Sequence, residues 1–131
     1  MGGFGMVVGE GLCYPPLDLM YVAAILRRDG HEVTLLDAES TQAGPDDVLA
    51  AMVPPPPVVA LTTSSATIEL DLALADRIKA EHPDTLVLIT GSQGSKVPDL
   101  AMINSAVDAV VRGEPELSTA AVVAALAAGE D

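Results

Sequence analysis

Two uninterrupted apolar runs constrain this chain more than any other feature: "VVALTT" at residues 58–63 and "TLVLITG" at residues 85–91. A strand with one wet face alternates polar and apolar residues. A run that is apolar at successive positions is covered on both faces, as the strands of a parallel sheet are. Parallel neighbours cannot be joined by a tight turn and need a crossover, usually a helix. The segment between the two runs supplies one. Residues 68–81 read as a helix, with Thr67 placed to cap it and Pro83 beyond its end.

The rest of the chain repeats this alternation. Residues 6–8 read as a short first strand and residues 17–29 as the first helix, with Pro16 near its first turn and Gly30 as its stop. That helix is apolar over most of its circumference until Arg27 and Arg28, so it is expected to be largely buried. Residues 31–37, "HEVTLLD", read as the second strand, and residues 45–52 as a helix whose Asp46 and Asp47 complement its dipole. "PPPP" at residues 54–57 blocks any helix and reads as an ordered connector into the third strand, residues 58–63. Residues 85–91 are the fourth strand, 98–103 a short helix, 107–113 ("VDAVVRG") the fifth strand and 116–128 the closing helix. Five strands alternating with five helices predict one doubly wound α/β domain over residues 1–131. The expected sheet is parallel and flavodoxin-like or Rossmann-like, of order 2-1-3-4-5, with helices on both faces. Phe4, Tyr14 and Tyr21 are the whole aromatic complement, so Ala, Val, Leu and Ile must build the core.

Composition removes several classes of function. A formal charge of −13 argues against nucleic acid and against an anionic membrane surface. No apolar run approaches the roughly 20 residues of a membrane span. A single cysteine, Cys13, rules out an internal disulfide and any multi-cysteine zinc or iron–sulfur site, and it reads as a small, partly buried residue. The N-terminal "MGGFGMVVGE" lacks the positive region of a signal peptide, and a reducing cytoplasm is the expected location.

Ligands of such sheets bind outside the carboxyl ends of the strands. That edge receives "GEGLCYPP", "TTSSAT", "GSQGS" and "RGEPE"; the opposite edge receives "RRDGHE", "AEHPD" and "NSAVD". "DGHEVT" approaches the Asp-x-His-x-x-Gly motif of histidine-ligated cobalamin carriers. Thr34 replaces its glycine, and Asp29 and His31 fall at the wrong edge. His82 is a helix-end residue, so no metal-binding histidine pair is expected. The glycine-rich "GSQGSK" lacks P-loop spacing, and Lys96 reads as a solvated side chain. Serines and threonines at the carboxyl edge have no histidine to activate them, and Glu114 and Glu116 read as a solvated helix start. Gly91, Gly94 and Gly113 supply room there, and Thr62, Thr63, Ser64, Ser65 and Ser92 supply hydrogen bonds without bulk. This edge suits binding better than catalysis.

Three segments resemble one family in order. "YPPLDLMYVAAILRRDGHEVTLLDAE" (residues 14–39), "VVALTTSSATIELDLALADRIKAEHPDTLVLITGSQ" (58–93) and "VDAVVRGEPE" (107–116) look like the cobalamin-binding domain of cobalamin-dependent radical SAM enzymes. The resemblance implies a Rossmann-like domain holding cobalamin at its carboxyl edge, without histidine ligation from the protein. The nucleotide tail would enter the domain while the corrin faces a catalytic partner. Carried onto this chain, Tyr14, Pro15, Pro16 and Leu17 would lie by the corrin's lower face. Thr62, Thr63, Ser64, Ser65, Gly91, Ser92, Gln93 and Gly94 would line the tail, and Arg112, Gly113 and Glu114 would close its far side. The family's S-adenosylmethionine and four-iron cluster would belong to a radical SAM domain or subunit, because the cluster needs three cysteines. The chain would then be the cofactor-binding part of a methyltransferase or related radical enzyme, with no catalytic residues or metal ligands of its own. Ser92 and Gln93 stand where the family usually has Gly-Pro. Two alternatives therefore stay open: a protein-interaction module that has lost the cofactor, and a small nucleotide- or flavin-binding domain.

Overall fold

The computed structural model describes residues 17–38, 40–63, 67–91 and 106–129. The expected strand at 6–8 and the short helix at 98–103 lie outside the described residues. Among them, three strands form one sheet: β1 (Val58–Thr62), β2 (Leu86–Thr90) and β3 (Ala109–Val110), in the order β1-β2-β3. Both pairings are parallel, with Val58 opposite Leu86, Thr62 opposite Thr90 and Leu88 opposite Ala109. The helices are α1 (Leu17–Arg28), α2 (Pro45–Ala50), α3 (Ile68–Glu81) and α4 (Pro115–Ala127). The chain is thus α/β with a parallel sheet, and three of the five expected strands are present as ladders. Residues 31–36 carry no ladder, and Asp37 makes a single bridge.

Strand periodicity assigns the two faces. Val59 and Leu61 of β1 and Val87 and Ile89 of β2 are buried with Leu74, Ala75 and Ile78 of α3 and Val48, Leu49 and Met52 around α2. Ala60, Thr62, Leu88 and Thr90 therefore point to the other face. There Thr62 reaches α1, and α1 packs along α4. This is the helix–sheet–helix layering that apolar strands require.

Helix ends follow local chemistry. Gly30, at φ +94°, ends α1 in a paired turn: its N–H bonds the Arg27 carbonyl at 3.1 Å, and the His31 N–H bonds the Leu26 carbonyl at 3.0 Å. At the start of α2, the Asp47 carboxylate accepts the Gly44 N–H at 2.8 Å. Pro115 opens α4, one residue earlier than expected, because a proline at the first helical position loses no hydrogen bond. Thr67 sits at the N-cap of α3, but its hydroxyl donates to the buried Asp71 carboxylate at 2.8 Å instead of capping the backbone.

One expectation needs correction. The first helix is covered on one side only: Leu19, Val22, Ala23 and Leu26 are buried, whereas Leu17, Met20 and Tyr21 are exposed. Its apolar circumference therefore exceeds what the described part of the domain covers.

The edge that feeds the strands is closely bonded. Lys79 donates to the Pro83 and Thr85 carbonyls at 3.1 and 3.0 Å and pairs with Asp108. The Asp108 carboxylate accepts the Val87 N–H at 2.7 Å. Thr85 ties the proline connector down through the Pro56 carbonyl at 2.8 Å.

Ile78 is fully buried against β1 and β2, so Ile78→Ala is expected to cost about 2–5 kcal/mol in urea unfolding. Leu70→Ala, on an exposed part of α3 about two turns before Ile78, should stay within about 0.5 kcal/mol of wild type.

Candidate functional site at the carboxyl edge

Because every ladder is parallel, the carboxyl ends of β1, β2 and β3 emerge at one edge. The helices that follow, α3 after β1 and α4 after β3, begin at that edge. Of the sequence-derived candidates, Leu17, Thr62, Thr63, Gly91, Arg112, Gly113 and Glu114 are described, while Tyr14, Pro15, Pro16, Ser64, Ser65, Ser92, Gln93 and Gly94 lie outside the described residues.

Thr62, Thr63 and Gly91 come together. The Thr63 N–H donates to the Thr90 carbonyl at 3.0 Å, one step past the ladder. Gly91 then turns away at φ +101°. A Cβ placed on it would run into the Thr63 carbonyl oxygen and sit 2.9 Å from the Thr63 nitrogen. The space left by the missing side chain is therefore filled by the chain's own backbone. Gly91 makes the β1 and β2 exits fit flush, which is a different service from leaving room for a ligand. At Gly113 (φ +74°) a Cβ would meet nothing. Arg112, Gly113 and Glu114 follow β3 and are all exposed.

The sequence reading missed two residues. The first is Asp18, in the first turn of α1, whose carboxylate accepts the Thr62 hydroxyl at 2.8 Å. This bond ties the start of α1 to the end of β1 across 44 positions of sequence. The second is Thr90, the last residue of β2. Its hydroxyl is buried and has no hydrogen-bond partner among the described residues. Thr119 on α4 carries the second such hydroxyl. In the sequence, the only trace of Thr90 is a hydroxyl closing an otherwise aliphatic "LVLIT". Asp18 looks like an ordinary first-turn acid.

The chemistry available at this edge is that of holding a molecule. Its described hydroxyls include Thr62, Thr63, Thr67 and Thr90, and its described carboxylates include Asp18, Glu69, Asp71, Glu114 and Glu116, at or near the starts of α1, α3 and α4. His31 follows α1 and His82 ends α3, both at the opposite edge. Among the described residues, no group of three or more His, Cys, Asp or Glu side chains could hold a metal ion. The edge is also ringed by apolar side chains. Leu17, Met20 and Tyr21 of α1, Leu70 of α3 and Leu117 of α4 are all exposed near the starts of their helices.

A separate cleft of about 790 Å³ runs between α1, α4, residues 30–36 and the stretch from Ala51 to Ala60. Leu19, Val22, Val58, Ala60 and Val123 line it, along with Thr119. Gly30 and Pro54 to Pro57 also line it, and Gly91 does not. No described helix is long and apolar enough to cross a membrane.

The described domain is a parallel α/β domain with helices on both faces of its sheet, and in such domains ligands bind outside the carboxyl ends of the strands. Comparison with known families is specific within that class: the model of the B12 binding domain matches residues 6–123. The chain belongs to the B12 binding domain family. Nothing matches among curated proteins, and nothing matches among solved structures.

The tight fit at Gly91 makes a definite prediction. Gly91→Ala combines a side chain at positive φ with a backbone clash. It should lower the stability of the ligand-free protein by about 2 kcal/mol or more in urea unfolding. Loss of ligand in that variant would then follow from loss of fold.

Proposed function

We propose that this domain binds a cobalamin at the carboxyl edge of its sheet, without histidine ligation, and presents it to a radical SAM catalytic domain or subunit in the cytoplasm. Membership of the B12 binding domain family, over most of the chain, carries the reading. Two features of the site agree with it. Both described histidines sit at the far edge. The buried, partnerless Thr90 hydroxyl marks a place where a polar ligand group would complete the hydrogen bonding.

In this reading the chain's residues bind and orient. Thr62, Thr63 and the loops beginning at Ser64 and Ser92 line the nucleotide tail, while Tyr14, Pro15, Pro16 and Leu17 lie under the corrin. Arg112, Gly113 and Glu114 close the far side, and Gly94 keeps the second loop small. When bound, the corrinoid supplies a cobalt centre able to carry a methyl group. S-adenosylmethionine and the four-iron cluster sit in the partner. The exposed Leu17, Met20, Tyr21, Leu70 and Leu117 give the rim the apolar surface that a corrin and a partner protein would cover. The finer topology, a five-stranded sheet of order 2-1-3-4-5, belongs to the same reading.

The apolar rim also favours a second reading, a protein-interaction module without cofactor. Incubation with hydroxocobalamin, desalting and a visible spectrum separate the two. The cobalamin reading expects a stoichiometric corrinoid to stay with the protein, and expects His31→Ala and His82→Ala to retain it equally. A colourless wild-type protein would sink it. Loss of colour in either histidine variant would sink the absence of histidine ligation.

A further inference from the structure

We propose that Thr90, Thr62 and Asp18 form a hydrogen-bonding shelf that holds an uncharged, hydroxyl- or amide-bearing part of the corrinoid and keeps the phosphate elsewhere. This inference rests on the cobalamin reading and assigns a part of the ligand to a part of the rim.

Thr90 is the starting observation. Its side chain is 0% exposed, and its hydroxyl has no partner among the described residues. Burying a hydroxyl without a hydrogen bond is unfavourable, and valine has the same shape without that penalty. The preceding residues, Leu86 to Ile89, are all aliphatic, so valine would continue the strand. A group kept at a cost to stability points to a use outside the empty fold.

Its neighbours define that use. Thr90 pairs in register with Thr62, so the two side chains stand side by side on the same face of the sheet. Thr62 spends its hydroxyl proton on Asp18 at 2.8 Å and keeps its lone pairs. Asp18 offers only acceptors. The shelf is therefore rich in acceptors, with the Thr90 hydroxyl free to donate or accept. Such a set suits groups that bring protons of their own, such as ribose hydroxyls or primary amides. Phosphate brings acceptors and negative charge, and the Asp18 carboxylate repels it. The first turns of α3 and α4 add Glu69, Asp71 and Glu116, which use up the positive ends of those helices. Thr90 lies just under the rim: its register partner Thr62 and its sequence neighbour Gly91 are both partly exposed, and a ligand group must part them to meet its hydroxyl.

Corrinoids carry amides around the ring and hydroxyls in the tail, and the experiment separates the two sources. Hydroxocobalamin and cobinamide, which lacks the nucleotide tail, are titrated into wild type, Thr90→Val and Thr90→Ser, and each ligand-free protein is melted. The expected result for Thr90→Val is a ligand-free stability equal to or above wild type with affinity for hydroxocobalamin lowered about three- to tenfold. Thr90→Ser keeps the hydroxyl and should keep the affinity. A loss confined to hydroxocobalamin assigns a tail hydroxyl to the shelf; an equal loss with cobinamide assigns a ring amide. Asp18→Asn should leave binding unchanged or weaker, and tighter binding in that variant would place the phosphate here and overturn the proposal. Thr90→Val binding as tightly as a corrinoid-retaining wild type would overturn it while leaving the cobalamin reading intact. Failure of the wild type to bind would remove both.

Discussion

The parallel ladder between Val58–Thr62 and Leu86–Thr90 sets the position of everything else in the described domain. Its direction forces α3 to return across the sheet, which carries Leu74, Ala75 and Ile78 onto Val59, Leu61, Val87 and Ile89. It also brings both strand exits to the same edge, so the loops after them share one surface. The seal at the end of this ladder is a close contact: Thr63 bonds the Thr90 carbonyl, and Gly91 lies against the Thr63 backbone with no space for a Cβ. Glycine at position 91 therefore serves the fold first, and any contribution to a ligand comes through the path it gives the following loop.

Asp18 shows how the α1 layer is joined to this ladder. Its carboxylate takes the Thr62 hydroxyl at 2.8 Å, on the face opposite the α3 core. The same acid complements the start of α1. One side chain thus joins a helix to a strand end, engages the hydroxyl of a strand-end threonine and adds a negative charge beside it. That last effect matters because a glycine-rich turn at a strand end invites a phosphate interpretation. Carboxylates at the starts of α1, α3 and α4 make the described rim a poor anion site.

Much of the architecture could be read from the sequence because its signals were backbone signals. Apolar continuity at "VVALT" and "LVLIT" announced parallel strands, Gly30 announced the end of α1, and the spacing between the runs announced the crossover helix. The exposure of Tyr21 and Met20 was not legible, since an all-apolar helix looks the same whether a neighbour covers one side or both. Thr67 looked like a cap, but the buried Asp71 four residues later competes for its hydroxyl. Thr90 and Asp18 were invisible for another reason. Their significance lies in a partner that is missing in one case and 44 positions away in the other, and neither is a property of local sequence.

The two edges of the sheet differ in how fully their polar groups are satisfied. At the edge feeding the strands, Lys79 reaches two carbonyls and Asp108, Asp108 accepts a strand N–H, and Thr85 holds the proline connector. These described groups are all paired; the buried Thr119 hydroxyl, which has no partner among the described residues, lies instead in the cleft between α1 and α4. At the carboxyl edge, a buried hydroxyl stands without a partner beside a threonine–aspartate pair, under a ring of exposed apolar side chains. A fold selected for stability alone would place valine at position 90 and polar residues at positions 17, 20, 70 and 117. Both departures fall at the same edge, and under the proposed reading one ligand, apolar in bulk and edged with hydrogen-bonding groups, would answer both.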